Sequence, residues 1–372
     1  MSSDQADPGR GGDSEHASTS TERRSSRSPR VPFELAPARE KPGSRRRRRK
    51  NTRKALLISL GALLTLALIA GLGAYWYVSR IDKALQEVRR ADTLLPNQYP
   101  GQPAAAGAAL NIMLIGSDNQ YDGGGGRSDV LMMFHLSGDK KDAYLISFPR
   151  DMWVDIPANK VVDHESKAKI NAAYSWGGSP LAAQTMEKLT NVKVDHAAEI
   201  DLGGFMNLTT ALGGVTVYNQ VPSSAWGYTW PKGEITIQGD EAMVYVRQRY
   251  ELPNGDLDRA ERQRAVIQGI ANKAMSPEVL ANPGKYATMV DEVARYITVD
   301  QQLTPQAFRD LAFGTQIRNP DQIHSLQAPI SGFGTSADGQ SIALVDEPQL
   351  AELATAMRED KMADYLAKYP KG

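Results

Sequence analysis

Residues 110–150 read LNIMLIGSDNQYDGGGGRSDVLMMFHLSGDKKDAYLISFPR. Three short apolar runs stand out in it, at 111–116, 130–136 and 143–148. Each has the length and composition of a buried β-strand. The polar hexapeptide SGDKKD at 137–142 is a turn, so the second and third runs form a hairpin. The first two are joined by a glycine-rich connection, YDGGGGRS, at 121–128.

Downstream the period changes back and forth. Helical spacing of apolar residues marks 170–175, 180–189, 205–212, 240–246, 257–274, 286–296, 305–313 and 347–358. Strand-like runs lie at 197–201, 215–218, 234–237, 323–327 and 341–345, and 330–341 reads as a Gly/Ser loop. This alternation predicts an α/β domain over residues 110–366, with a central mixed β-sheet covered by helices on both sides.

Upstream, residues 55–78 read ALLISLGALLTLALIAGLGAYWYV, with no charge. At 1.5 Å per residue such a helix crosses the hydrocarbon core of a bilayer, roughly 30 Å thick. It is too long for a secretory h-region, and no A-x-A site follows it, so it reads as an uncleaved signal anchor. Arginines 45–49 and Lys50 precede it, and Tyr75, Trp76 and Tyr77 close it. The positive-inside rule then predicts a single-pass protein of the cell membrane, with a cytoplasmic N-terminus and an extracellular C-terminal domain. Residues 1–54 are rich in Ser, Arg, Pro and Gly, and are expected to be a disordered basic tail. Residues 79–109 are expected to be a stalk and linker outside the membrane.

Net charge is zero over 372 residues, but it is unevenly spread. Residues 1–54 hold fifteen Lys/Arg and seven Asp/Glu, which leaves the remainder acidic. Nucleic acid is not an expected partner, because no aromatic interleaving or DNA-binding motif accompanies the basic run. The absence of cysteine excludes disulfides, thiolate nucleophiles and cysteine metal sites.

Within the acidic body, arginines recur in short motifs: GRSD (Arg127), PRD (Arg150), RQR (Arg247, Arg249) and DLDRAERQ (Arg259, Arg262). The guanidinium fork matches phosphate oxygens. On the helix at 257–274, Arg259, Gln263, Val266, Ile267 and Ile270 fall on one stripe. Two readings fit: an anion held at the head of an apolar groove, or an internal ion pair with Asp256 or Asp258. Arg247 and Arg249 can meet one ligand only if their helix stops near Val246, and are otherwise a solvated pair. Asp118 closes the first strand and Asp129 opens the second. They are either ordinary carboxylates beside a floppy loop or a pair able to share a hard cation such as Mg²⁺ with substrate phosphates. The glycine run is no P-loop, since no GK[ST] follows. His135, inside an apolar strand, reads as a core residue rather than a catalyst. Trp226 and Trp230 lie in a loop, where they either pack or line a glycan path.

Taken in order, NIMLIGSD, GRSD, SFPRD, KINAAYSWGG, ALGGV, GDEAMVYVRQR and DLDRAERQR resemble the LytR-CpsA-Psr family of cell-wall glycopolymer transferases. The resemblance implies a Mg²⁺-assisted phosphotransferase. Such an enzyme moves a glycopolymer from an undecaprenyl- or other polyprenyl-pyrophosphate carrier to a peptidoglycan hydroxyl through a phosphodiester. It implies metal ligation by Asp118 and Asp129. It also implies a pyrophosphate grip by Arg127, Arg150, Arg247, Arg249, Arg259 and Gln263, and a hydrophobic pocket for the polyprenyl tail. No histidine lies in these motifs, so the general base is expected to be a carboxylate, Asp129 or Asp118. Asp151 either orients Arg150 or sits near the metal. The loop YELPNG (250–255) departs from a uniform family pattern and is expected to shape which glycan enters. Two alternatives stay open: a pyrophosphatase of the same lipid-linked substrates, and a non-catalytic lipid- or wall-binding anchor.

Overall fold

Helix α1 (Ser44–Glu87) runs through the whole of the expected span. The structure, a computed structural model, describes residues 44–96, 102–103, 107–118 and 127–370; side chains are described throughout except at residues 44–62, 74, 118, 127, 129, 202, 280, 312 and 313. Residues 1–43, most of the expected basic tail, lie outside the described residues, as does the glycine loop 119–126. The stretch Leu63–Glu87 is long and apolar enough to cross a membrane. Leu66, Ile69 and Leu72 are exposed along it. The last turns of α1 change character. Arg80 pairs with Asp291 at 2.7 Å, and Ala84 and Val88 pack with Ala294, Val299 and Leu303.

Strand β1 (Arg89–Ala91) follows. It falls within the stretch expected to be stalk and linker, yet it is built into the sheet. Arg-Arg-Ala has no apolar run, so periodicity gives no sign of it. The three apolar runs become β2 (Leu110–Asp118), β3 (Arg127–Leu136) and β4 (Ala143–Ser147). A hairpin of β5 (Trp153–Ile156) and β6 (Ser166–Lys169) precedes α2 (Ile170–Thr190). Helix α2 is broken at Gly177 and Gly178, the latter at φ +65°, so the two helices read from sequence are two segments of one kinked rod.

Next come β7 (His196–Asp201), α3 (Leu202–Ala211), β8 (Val215–Asn219), β9 (Ser223–Ala225), β10 (Tyr228–Trp230) and β11 (Gly233–Ile237). Helices α4 (Gly239–Arg247), α5 (Asp256–Ala274), α6 (Pro277–Leu280) and α7 (Pro283–Tyr296) lead to β12 (Ile297–Asp300). The chain ends with α8 (Pro305–Gly314), β13 (Ile323–Gln327), β14 (Ile330–Thr335), β15 (Ser341–Val345), α9 (Glu347–Arg358) and α10 (Met362–Lys368). Asn282, Thr304 and Asp346 cap α7, α8 and α9, each accepting the backbone N–H three residues on. The expected loop at 330–341 is instead largely β14, paired with β15. Its glycines hide the alternation that marks a strand.

Seven strands form the central sheet in the order β1-β12-β7-β2-β3-β4-β13. β2 pairs antiparallel with β3 and parallel with β7, so the sheet is mixed. Alternation along its strands feeds two layers. Met113, Ile115, Leu131, Met133, Tyr144 and Ile146 face α2, α9 and α10. The opposite face meets α3, α4 and α5, around Leu208, Val246 and Val266. The sheet is therefore covered by helices on both sides, as expected.

Candidate active site

One end of the sheet gathers the motifs. In the β2–β3 ladder Gly116 faces Val130, Ser117 faces Ser128 and Asp118 faces Arg127. The register slips there, and Asp129 is the extra residue of a β-bulge. Bulges bend a strand and re-aim the side chains around them. Ser117 also pairs with Asp201 at the end of β7. The Phe148 N–H donates to the Leu131 carbonyl at 2.9 Å, which brings the following PRD motif to the same end. The backbones of Asp118, Arg127 and Asp129 are thus neighbours, and their side chains lie outside the described part. Among the described residues no three carboxylates or imidazoles gather as metal ligands. Two carboxylates on adjoining strands are hard oxygen donors, and this donor set suits Mg²⁺ shared with phosphate.

Arg150 and Arg259 converge on one carboxylate. The Arg150 Nε lies 3.3 Å from Asp256 Oδ1, and Arg259 Nη2 pairs with the same oxygen. Both guanidiniums are largely buried, which holds them in place. The internal ion pair foreseen for Arg259 therefore exists, with Asp256 as its partner. Asp151 is paired with Lys169 at 2.8 Å and lies 3.8 Å from Arg150 Nε, so it helps orient Arg150.

Helix α4 ends at Arg247, because Gln248 turns extended at φ −62° and ψ 129°. That ending lets Arg247 and Arg249 face related space. Arg247 lines an apolar cleft of about 230 Å³ between the sheet and α3, α4 and α5. The cleft walls include Leu114, Val130, Ile200, Phe205, Ile267 and Ile270. Gln263 lies in its lining and donates to the Val246 carbonyl at 3.3 Å. Gln263, Ile267 and Ile270 of the α5 stripe thus form one cleft wall, whereas Arg259 at its head is held on Asp256 and is not in the lining, and Val266 is turned into the core. Arg249 points to a second groove, donating to the Tyr250 hydroxyl at 2.6 Å, its guanidinium 4.6 Å above that ring.

Three sets of contacts were not foreseen. Arg262 is buried and donates to Gln248, Ser223, Val221 and Asn219, which ties α5 to the segment carrying Arg247 and Arg249. Burial pulls its guanidinium below the ordinary arginine value. Arg264 crosses to β4 and donates to Ser147 Oγ at 2.5 Å; burial brings it down to about 10. Glu199 accepts from the hydroxyls of Ser117 (2.5 Å) and Tyr174 (2.7 Å) next to the sheet end. No sequence signal named the partners of these three side chains.

The profile of the LytR_cpsA_psr family matches residues 74–359. The chain belongs to the LytR-CpsA-Psr family. It is 33% identical over 313 residues to the polyisoprenyl-teichoic acid–peptidoglycan teichoic acid transferase TagU of Enterococcus faecalis, covering 82% of this chain and 97% of that one. Against TagU of Bacillus subtilis the identity is 28%, over 84% of this chain and 98% of the relative. The fold is similar to the crystal structure of protein gbs0355 from Streptococcus agalactiae. That comparison gives a TM-score of 0.59 and 25% identity, over 68% of this chain and 88% of that one.

Proposed function

We propose that this chain transfers a glycopolymer of the teichoic acid type from a polyprenyl-pyrophosphate carrier onto peptidoglycan, outside the membrane. One observation carries the reading: Arg247 and Gln263 stand in the lining of one cleft whose walls are otherwise mostly apolar, with Glu199 and Asp201 beside them. A polyprenyl chain is apolar along its length and anionic only at its end, so apolar walls with an arginine in the lining suit it. The relatives named as TagU act on polyisoprenyl-linked teichoic acid and peptidoglycan, which supports the same donor and acceptor classes.

Phosphoryl transfer is chiefly positioning and charge stabilisation. In this reading the tail enters the cleft and the diphosphate stops at Arg247. Arg127, Arg150, Arg249 and Arg259 supply further donors, with Gln263 beside them. Asp256 presets two of these guanidiniums before substrate arrives. The acceptor hydroxyl attacks the phosphorus that bears the glycan. The bond from that phosphorus to the oxygen of the lipid phosphate breaks, and the lipid phosphate leaves. The proton of the hydroxyl passes to a carboxylate, Asp129 or Asp118. Mg²⁺, when bound, would be held by Asp118 and Asp129 and would neutralise charge on the diphosphate. The apolar part of α1 anchors the domain beside a membrane-bound donor, and the basic run before it orients the domain outward.

The test uses the full chain in detergent with Mg²⁺, a polyprenyl-pyrophosphate glycan and nascent peptidoglycan. Mass spectrometry of the products is expected to find a phosphodiester-linked conjugate, and Arg247→Ala or Asp129→Ala is expected to abolish it without unfolding the domain. Free phosphoglycan as the sole product would make the protein a hydrolase instead.

A further inference from the structure

A second groove, of about 870 Å³, runs between the β9–β10 hairpin and residues 243–251. The hairpin turns on Trp226 and Gly227, at φ +51° and +89°. Two-residue turns with both φ values positive favour Asn-Gly, and a bulky side chain there is strained. Trp226 is nevertheless 91% exposed, so its indole contributes nothing to a core. Strain of this kind persists where the surrounding structure over-determines it.

The stem below is packed and hydrogen-bonded. Trp230 is buried, its Nε1 donates to Glu241 at 3.1 Å, and its ring meets Tyr245 edge-on at 5.3 Å. Asn219 Nδ2 donates to the Trp230 carbonyl at 3.2 Å. The two tryptophans of this loop have therefore parted roles: Trp230 holds the hairpin, and Trp226 is displayed. Tyr250, also exposed, lines the same groove with its Arg249 partner, and Ser224 and Thr229 add hydroxyls. Flat aromatic faces interleaved with hydroxyl and guanidinium groups suit the apolar faces and hydroxyls of pyranose rings.

We propose that this groove binds the sugar chain of the peptidoglycan acceptor, with Trp226 as its stacking platform. The inference rests on the transferase reading above. Arg247 lines both the groove and the cleft, so the two cavities adjoin at this residue. Attacking and leaving oxygens lie roughly in line across the phosphorus. The lipid phosphate departs toward the cleft, so the acceptor hydroxyl arrives from elsewhere. The groove is a second cavity that Arg247 lines.

Trp226→Asn is the informative variant, because asparagine suits the turn and removes only the ring. The full chain is assayed in detergent with donor and acceptor varied separately, and binding of peptide-free peptidoglycan glycan oligomers is measured without donor. The acceptor KM is expected to rise about tenfold, as loss of one stacked ring predicts, with the donor KM unchanged and oligomer affinity reduced in step. Trp226→Phe is expected to recover part of both. A raised donor KM would assign the groove to the donor's sugars and overturn the proposal, as would unchanged values throughout. Absence of any conjugate from the wild type sinks the transferase reading alone; oligomer binding then decides the groove.

Discussion

Replacing Arg262 by alanine is expected to destabilise the domain by about 3–5 kcal/mol. Its guanidinium donates to Gln248 Oε1 and Ser223 Oγ, each at 2.7 Å, and more weakly to the Val221 carbonyl and Asn219 Oδ1. It also lies 4.3 Å from the Tyr245 ring centroid and 5.7 Å from that of Trp230. A charged hydrogen bond contributes about 1.5–3 kcal/mol net, and a desolvated cation–π contact about 2 kcal/mol. The sum overstates the loss for two reasons. Gln248 Oε1 and Asn219 Oδ1 keep Ser223 and Tyr245 as donors. The variant is also relieved of a buried cation that, among the described residues, has no carboxylate in contact. Arg262→Met keeps the volume without the charge and is expected to lose about 1–2 kcal/mol less than alanine does. Guanidinium unfolding followed by tryptophan fluorescence measures both, since Trp230 sits against the altered site. A loss below about 1 kcal/mol for Arg262→Ala would refute the view that this arginine clamps α5 to the Gln248 segment.

Gly269→Ala would set a Cβ 2.7 Å from the Thr216 carbonyl oxygen, so α5 must retreat from β8 at a cost of about 1–3 kcal/mol, read as a lowered Tm; an unchanged Tm contradicts that packing. Burial pushes the His135 imidazole down to about 4, against the opposing charges of Asp360 and Asp195. Because its ordinary value is 6.5, the unfolded chain binds the extra proton between those pH values, and stability falls by about 3 kcal/mol as pH drops through them. Denaturant unfolding at pH 7, 5.5 and 4.5 is expected to show a shallower slope in His135→Gln, and equal slopes would refute the assignment.

The legible part of this molecule was what one segment can announce alone. The apolar runs of β2, β3 and β4 are marked by composition, and the stripe on α5 already held the cleft wall. What stayed hidden depends on pairs of segments. Asp256 and Asp258 were equal candidates for Arg259 until the turn at Gly255 positioned them. Trp226 and Trp230 lie four residues apart in one loop, and only the β9–β10 pairing turned one inward and the other out. Strand β14 was masked by its own glycines, and β1 by its arginines.

β1 also bears on how the chain is made. Among the described residues its sheet neighbour is β12 alone, and the sheet's opposite edge, β13, is synthesised later still. The adjoining strands β2, β3 and β4 close on local contacts, whereas β1 must wait for a partner that emerges after most of the domain. During that wait it is a bare strand edge, a template for pairing with a neighbouring nascent chain. Its sequence answers the hazard: Arg89 and Arg90 are the charged residues that keep such edges from joining one another. Once β12 arrives, Arg90 turns its guanidinium onto the carbonyls of Leu85, Val88 and Leu303. The charge that guards the nascent edge then locks the finished one.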